Sequence, residues 1–246
     1  MSCLCIVRMD ILRFLQSPWR IVLTLVQPLL YLFIFGAALQ SGTYAEMAGY
    51  QSYLYPGILC MIIMFSAVSA AISLVHDREA GFLRALLVSR ASRWEIALGK
   101  IMSGTAQALL QSLLVLPFGP LLGVGITPPT LMMLLIEMLL IAMTFSAIGL
   151  MVALPFRSVL VFPVMSNLVL LPMFFLSGAL YPIDLAPRWV GALAKLDPAT
   201  YAVDLLRGRL CSIYLQPALT SSLILTAGLT VASLVVITGF YRAGNR

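Results

Sequence analysis

The sequence predicts an all-α integral membrane protein with six transmembrane helices, on three observations. Of its 246 residues 61% are hydrophobic and only 10% charged, whereas a water-soluble domain carries about a quarter charged residues. Apolar runs, each close to the ~20 residues a helix needs to cross a bilayer, alternate with short polar connections. The 15 Lys and Arg residues gather mainly in alternate connections, as the positive-inside rule requires of a multi-pass chain. No stretch has the length and polarity of a separate soluble domain, so residues 1–246 are expected to form one transmembrane domain.

Residues 1–20 are expected to open the chain with an interfacial helix. Leu4, Val7, Ile11, Phe14 and Leu15 share one face, with Asp10 and Arg13 away from it, which suits a helix lying flat on the cytoplasmic surface. Arg8, Asp10 and Arg13 interrupt what would otherwise be the apolar region of a cleavable signal. Ser17-Pro18 ends the helix and Trp19-Arg20 anchors it at the interface. The first span, 21–39, should kink at Gln27-Pro28. Residues 40–53 form an outer loop with Glu46 and no basic residue. In the second span, 54–75, Ser66, Ser69, Ala70 and Ser73 set small side chains on one side for close packing.

The connection from His76 to Lys100 is densely charged. Within it Phe82, Leu83, Leu86 and Leu87 form an apolar helical stripe. Such a charged amphipathic helix cannot cross the bilayer, so it lies at the interface or docks on a soluble partner, unless the segment is only a basic cytoplasmic loop that fixes topology. The third span is expected from about 104 to 126, with Gln107 and Gln111 on one face and Pro117 and Pro120 bending its outer half.

After Thr127-Pro128-Pro129, the fourth span, 131–154, contains Glu137. At 1.5 Å per residue this acid lies ~9 Å below the outer start of the span. It is either solvated among headgroups or facing a polar cavity, and an intramembrane acid is a functional candidate. A cytoplasmic turn at 155–158 carries Arg157, and Pro163, Asn167 and Pro172 interrupt the fifth span, 159–181. Residues 182–216 are too polar to span, yet Trp189, Val190, Leu193, Leu196, Leu205 and Leu206 are too apolar for a free loop. Short re-entrant or amphipathic helices in the outer leaflet are expected there. The last span is 218–241. With the N-terminus inside, the cytoplasmic parts hold 11 Lys and Arg against 4 outside, which puts both termini in the cytoplasm.

Several functions are excluded. The net charge of +6 resides in the loops, without interleaved aromatics, so no nucleic-acid partner is expected. Cys3, Cys5, Cys60 and Cys211 should be free thiols, and one histidine with scattered acids makes no metal site. Gly99-Lys100 runs into Ile101 without the preceding glycine of a phosphate loop. Ser and Thr in the spans have no histidine base. The chain is not expected to be an enzyme. A proton- or ion-coupled carrier would need several intramembrane acids and matched broken helices, where only Glu137 is seen.

Glu79-Ala80-Gly81-Phe82-Leu83-Arg84-Ala85-Leu86-Leu87-Val88-Ser89 resembles the coupling-helix segment of ABC-2 type transporter permeases, departing from it at Arg90, where the family carries Pro. Tyr55-Pro56-Gly57, Phe175 to Pro182 and Leu196 to Tyr201 resemble the same family, in the same order along the chain. The resemblance is nearest to permeases exporting drugs, glycolipids or lipid-linked saccharides. It implies a cytoplasmic coupling helix between spans two and three, with Glu79, Gly81, Phe82, Leu83, Arg84, Leu86 and Leu87 contacting a cytosolic ABC ATPase. That partner would bind the ATP and Mg, leaving no cofactor in this chain. It also implies a second permease copy, as homo- or heterodimer, and a place in the cytoplasmic membrane of a prokaryote. Gln107, Gln111, Glu137 and Asn167 are the intramembrane polar candidates for the substrate path; Tyr31, Phe65, Phe174 and Phe175 suit an aromatic lining and equally suit plain helix packing.

Overall fold

Three helices begin at a proline, Pro18, Pro128 and Pro198, where the missing N–H costs nothing and the fixed φ already suits a helix. The computed structural model describes residues 2–38, 50–81, 93–156, 158–183 and 186–211, with 220–221, 224–228, 231–232 and 235. No strand occurs among them. The elements are α1 (Ser2–Leu15), α2 (Pro18–Ala38), α3 (Tyr50–Ala70), α4 (Ile72–Glu79), α5 (Arg93–Val115), α6 (Phe118–Leu121), α7 (Pro128–Ala153), α8 (Val161–Leu176), α9 (Arg188–Ala194) and α10 (Pro198–Cys211).

Helix α3 is the central post. It packs against α2, α5, α7, α8 and α10, and every residue from Leu54 to Met64 is buried. Small residues set the closeness of this packing. A Cβ on Gly149 of α7 would come within 2.7 Å of the Val68 Cα, and one on Gly104 of α5 within 2.5 Å of the Ser146 Oγ. Backbones that approach so closely gain dispersion contacts where lipid supplies no hydrophobic drive.

Among the described residues Ser52–Glu79, Trp94–Pro120 and Pro128–Ala153 are long and apolar enough to cross a membrane, and Thr24–Ile34 and Val161–Leu176 are shorter apolar stretches. The described residues between 220 and 235 are helical. Most of the sixth span, the segment 82–92 with Phe82, Leu83, Arg84, Leu86 and Leu87, and the loop at Glu46 lie outside the described residues.

Four local expectations change. The third long helix begins at Arg93, well before Gly104, so Lys100 lies inside it. Pro117 lies at a break after Val115 rather than in a bend, and Pro120 lies within the single turn α6 that follows. Helix α10 is buried from Ala199 to Gly208 against α3, α7 and α8, so it is no surface amphipathic helix. Helix α9 does keep that character, with Val190 and Ala194 buried and Trp189 and Leu193 exposed.

The fourth change is in α1, whose buried face is Ile6, Asp10 and Phe14. Val7 and Ile11 are half-buried and Leu15 is exposed. The helix is turned so that an acid faces inward.

Candidate functional site

A cavity of about 750 Å³ opens between α2 and α8, with α3 as its floor. Met61, Phe65, Phe162 and Leu170 give it apolar walls, and Gln27, Ser69, Ser166 and Asn167 supply polar points. Ser69 and Ser166 donate to the Ser66 and Phe162 carbonyls at 2.9 and 2.8 Å. The side-chain amides of Gln16, Gln27 and Asn167 also line it.

Of the expected lining, Phe65 and Asn167 are present. Phe174 is buried in the core, and Phe175 and Tyr31 stand outside the cavity wall. Gln107 and Gln111 are buried away from it. Gln111 nevertheless supports the wall from behind, because its Nε2 donates to the Thr24 Oγ at 2.8 Å.

At the end of the fold that charge counting places in the cytoplasm, a buried ion cluster joins α1, α4 and α5. The Lys100 ammonium donates to Asp10 at 3.0 and 3.2 Å, to Asp77 at 2.6 Å and to Ser73 at 3.2 Å. Its three protons thus find three partner residues. Arg13 reaches the other Asp77 oxygen at 3.2 Å, and the Ser103 hydroxyl donates to Asp10 at 3.1 Å. Asp10, Asp77 and Lys100 are 3%, 1% and 2% exposed, so the charges balance inside low dielectric. Sequence reasoning set Asp10 on the solvent side and counted Lys100 as a loop charge. The available signal was an acid and a base each embedded in an apolar helical run.

Immediately beyond this cluster, Arg78 and Glu79 grip the turn between α7 and α8. Arg78 donates to the Leu154 and Phe156 carbonyls, the latter at 3.2 Å, and Glu79 accepts from the Val159 N–H at 3.0 Å. Expected as a contact to a partner, Glu79 is engaged within the chain. Gly81, at φ +73°, ends α4 in the left-handed region, with Ala80 and Gly81 N–H groups bonded to the His76 and Arg78 carbonyls.

At the opposite end three family-like segments converge. A Cβ on Gly57 would lie 2.6 Å from the Ala179 carbonyl oxygen, so Tyr55-Pro56-Gly57 and Gly178-Ala179 are in close backbone contact. The Tyr55 hydroxyl donates to the Val115 and Leu116 carbonyls at 3.3 and 2.9 Å, at the break before α6. Arg207, 1% exposed, donates to Gly178 O at 3.0 Å and stacks its guanidinium 3.9 Å from the Tyr53 ring centroid. Burial lowers its pKa, while Tyr53, Cys211, Asp204 and Cys60 pull the other way.

Asp197 caps α10 by accepting from the Ala199 N–H at 2.9 Å. Its second oxygen is buried without a partner. Burial raises its pKa to about 7 against the opposing backbone bond from Ala199. Glu137 does not line the cavity and is partly exposed. Arg209 of α10 donates to its Oε1 at 3.1 and 2.6 Å.

A helical bundle with transmembrane-length apolar helices and a side groove defines a multi-pass membrane protein. The family model for the ABC-2 type transporter matches residues 2–210, and the chain belongs to that family. It is 29% identical over 199 residues to the "Putative transport permease ycf38" of Cyanophora paradoxa, covering 78% of this chain and 68% of that one. It is 28% identical over 196 residues to "Nodulation protein J" of Rhizobium leguminosarum bv. trifolii, covering 74% and 71%. With the "Probable multidrug ABC transporter permease YbhR" of Escherichia coli (strain K12) it shares 25% identity over 183 residues, covering 69% and 45%. The chain is a transmembrane permease of the ABC transporter class. Such permeases generally work with a cytosolic ATPase subunit.

Proposed function

We propose that this permease exports an amphipathic or lipid-like substrate from the cytoplasm of a prokaryote, by alternating access driven by a separate ATPase. The groove between α2 and α8 carries the reading. It is wide enough for a lipid chain or a drug-sized molecule, its walls are mostly apolar, and Gln27 and Asn167 offer hydrogen bonds to a polar head. Six spans with both termini in the cytoplasm, as charge asymmetry requires, leave a groove in one copy that a second copy would close into a path. The relative named for multidrug transport favours the same substrate class, and bacterial relatives favour a prokaryotic cell membrane.

The ATPase, which would bind ATP and Mg, is proposed to dock on the apolar face of Phe82, Leu83, Leu86 and Leu87. Arg84 flanks that face in the sequence, and Gly81 precedes it in the left-handed region. This is helix-in-groove recognition. Truncating a buried Leu in such a contact costs ~2–5 kcal/mol by analogy with cores. Leu86→Ala with Leu87→Ala should therefore leave the chain in the membrane but release the ATPase in a pull-down from detergent. Full retention of the partner by that variant contradicts the docking face.

A further inference from the structure

Adjacent residues of opposite charge meet the two ends of one helical corner. Past the C-terminus of α7 the Leu154 and Phe156 carbonyls accept from Arg78, where the helix dipole favours a cation. At the approach to α8 the Val159 N–H meets the Glu79 carboxylate at 3.0 Å, where the dipole favours an anion. The corner is therefore held by the last turn of α4, two residues before the left-handed Gly81 that leads into the partner-facing segment.

From the corner the path continues by packing. The Phe156 ring meets the Phe162 ring edge-on with centroids 6.5 Å apart. Phe162 is 1% exposed and forms part of the groove wall. Pro163, Ser166, Asn167 and Leu170 continue that wall along α8. On the other side of α4, Asp77 is tied to Lys100 and Arg13. Helix α4 thus has a fixed anchor behind it and a grip on α8 in front.

We propose that Arg78 and Glu79 are positioning residues that carry a displacement of the segment beyond Gly81 into α8, so that the ATPase moves the groove wall through the corner at 154–159. This rests on the transport reading above. It assigns no substrate contact to either residue.

The test uses the permease purified with its ATPase, in a background where Cys3, Cys5, Cys60 and Cys211 are replaced and Asn167→Cys reports on the groove. Maleimide labelling of that cysteine is timed with and without a non-hydrolysable ATP analogue. With Arg78 and Glu79 intact, nucleotide should change the rate by about fivefold or more, the lower end of ordinary coupling between sites. Arg78→Met with Glu79→Leu should abolish that response while the ATPase co-purifies in the same amount and binds nucleotide equally. Arg78→Lys with Glu79→Gln, which can still donate to the carbonyls and accept from the amide, should restore most of it, an outcome that general destabilisation would not produce.

A full response in the Met/Leu variant overturns the proposal. So does a labelling rate that ignores nucleotide in the intact protein, or loss of the ATPase from the Met/Leu variant, which would make the pair a docking contact. Failure of any ATPase to co-purify with the unaltered chain is a different result, and it removes the transport reading itself.

Discussion

The two ends of the bundle bury charge in opposite ways. At the Lys100 end, ammonium, guanidinium and two carboxylates neutralise one another across three helices. At the Arg207 end, a guanidinium is held chiefly by backbone carbonyls and an aromatic face, while Asp197 keeps one buried oxygen without a partner. The first arrangement locks elements together as long as every member is present. The second leaves a charge that the solvent pH can remove.

The largest expected effect lies at the locked end. Lys100→Met leaves Asp10 and Asp77 buried with only the half-exposed Arg13 nearby, and breaking a buried pair costs ~3–5 kcal/mol. Thermal unfolding in detergent should show a collapse of stability, and adding Asp10→Asn with Asp77→Asn should recover much of it. A Lys100→Met protein as stable as the parent would dissolve the contrast between the two ends.

Next comes Arg207→Met. Hydrogen bonds from a charged donor are worth ~1.5–3 kcal/mol, offset here by relief of the buried charge, so a loss of about 2 kcal/mol is expected. The damage should be local, read as faster amide exchange around Gly178 and Ala179 with the Lys100 end unchanged.

Asp197 sharpens the comparison through pH. Its folded pKa of about 7 lies above the ordinary 3.8, so the folded protein binds the proton more tightly than the unfolded chain. The stabilisation from protonation is complete below about pH 4 and lost as pH rises through 7. Stability at fixed salt should therefore fall between pH 5 and 8, and Asp197→Asn, which keeps the helix cap, should flatten that fall. Equal slopes for both proteins would remove Asp197 as the cause.

The smallest effect is expected at Glu137, whose pair with Arg209 is partly exposed. Such pairs contribute ~0–1 kcal/mol. Glu137→Gln should leave transport close to the parent at equal expression, and its complete loss would make this acid a working part of the path.

The sequence was most legible where physics is local. Composition demanded lipid, and apolar runs of about 20 residues marked the long helices that the structure shows. Phe65 and Asn167 line the groove and Tyr31, Phe174 and Phe175 do not, a division that periodicity cannot make, since it says that a face is buried and not what buries it.

What the sequence by itself determined, then, is a membrane-embedded helical chain whose segments resemble one transporter family. The tertiary structure decided which charges meet. Asp10 and Lys100 are 90 residues apart, and Arg207 binds carbonyls 29 and 28 residues away. A helix repeats every 3.6 residues and therefore fixes only the direction of a side chain from its own axis. The partner depends on how neighbouring helices are rotated and shifted, and in this bundle small residues such as Gly104 and Gly149 bring the helices close enough for that choice to be made. The rotation of α1 that turns Asp10 inward brings it to Lys100 and Ser103 inside α5.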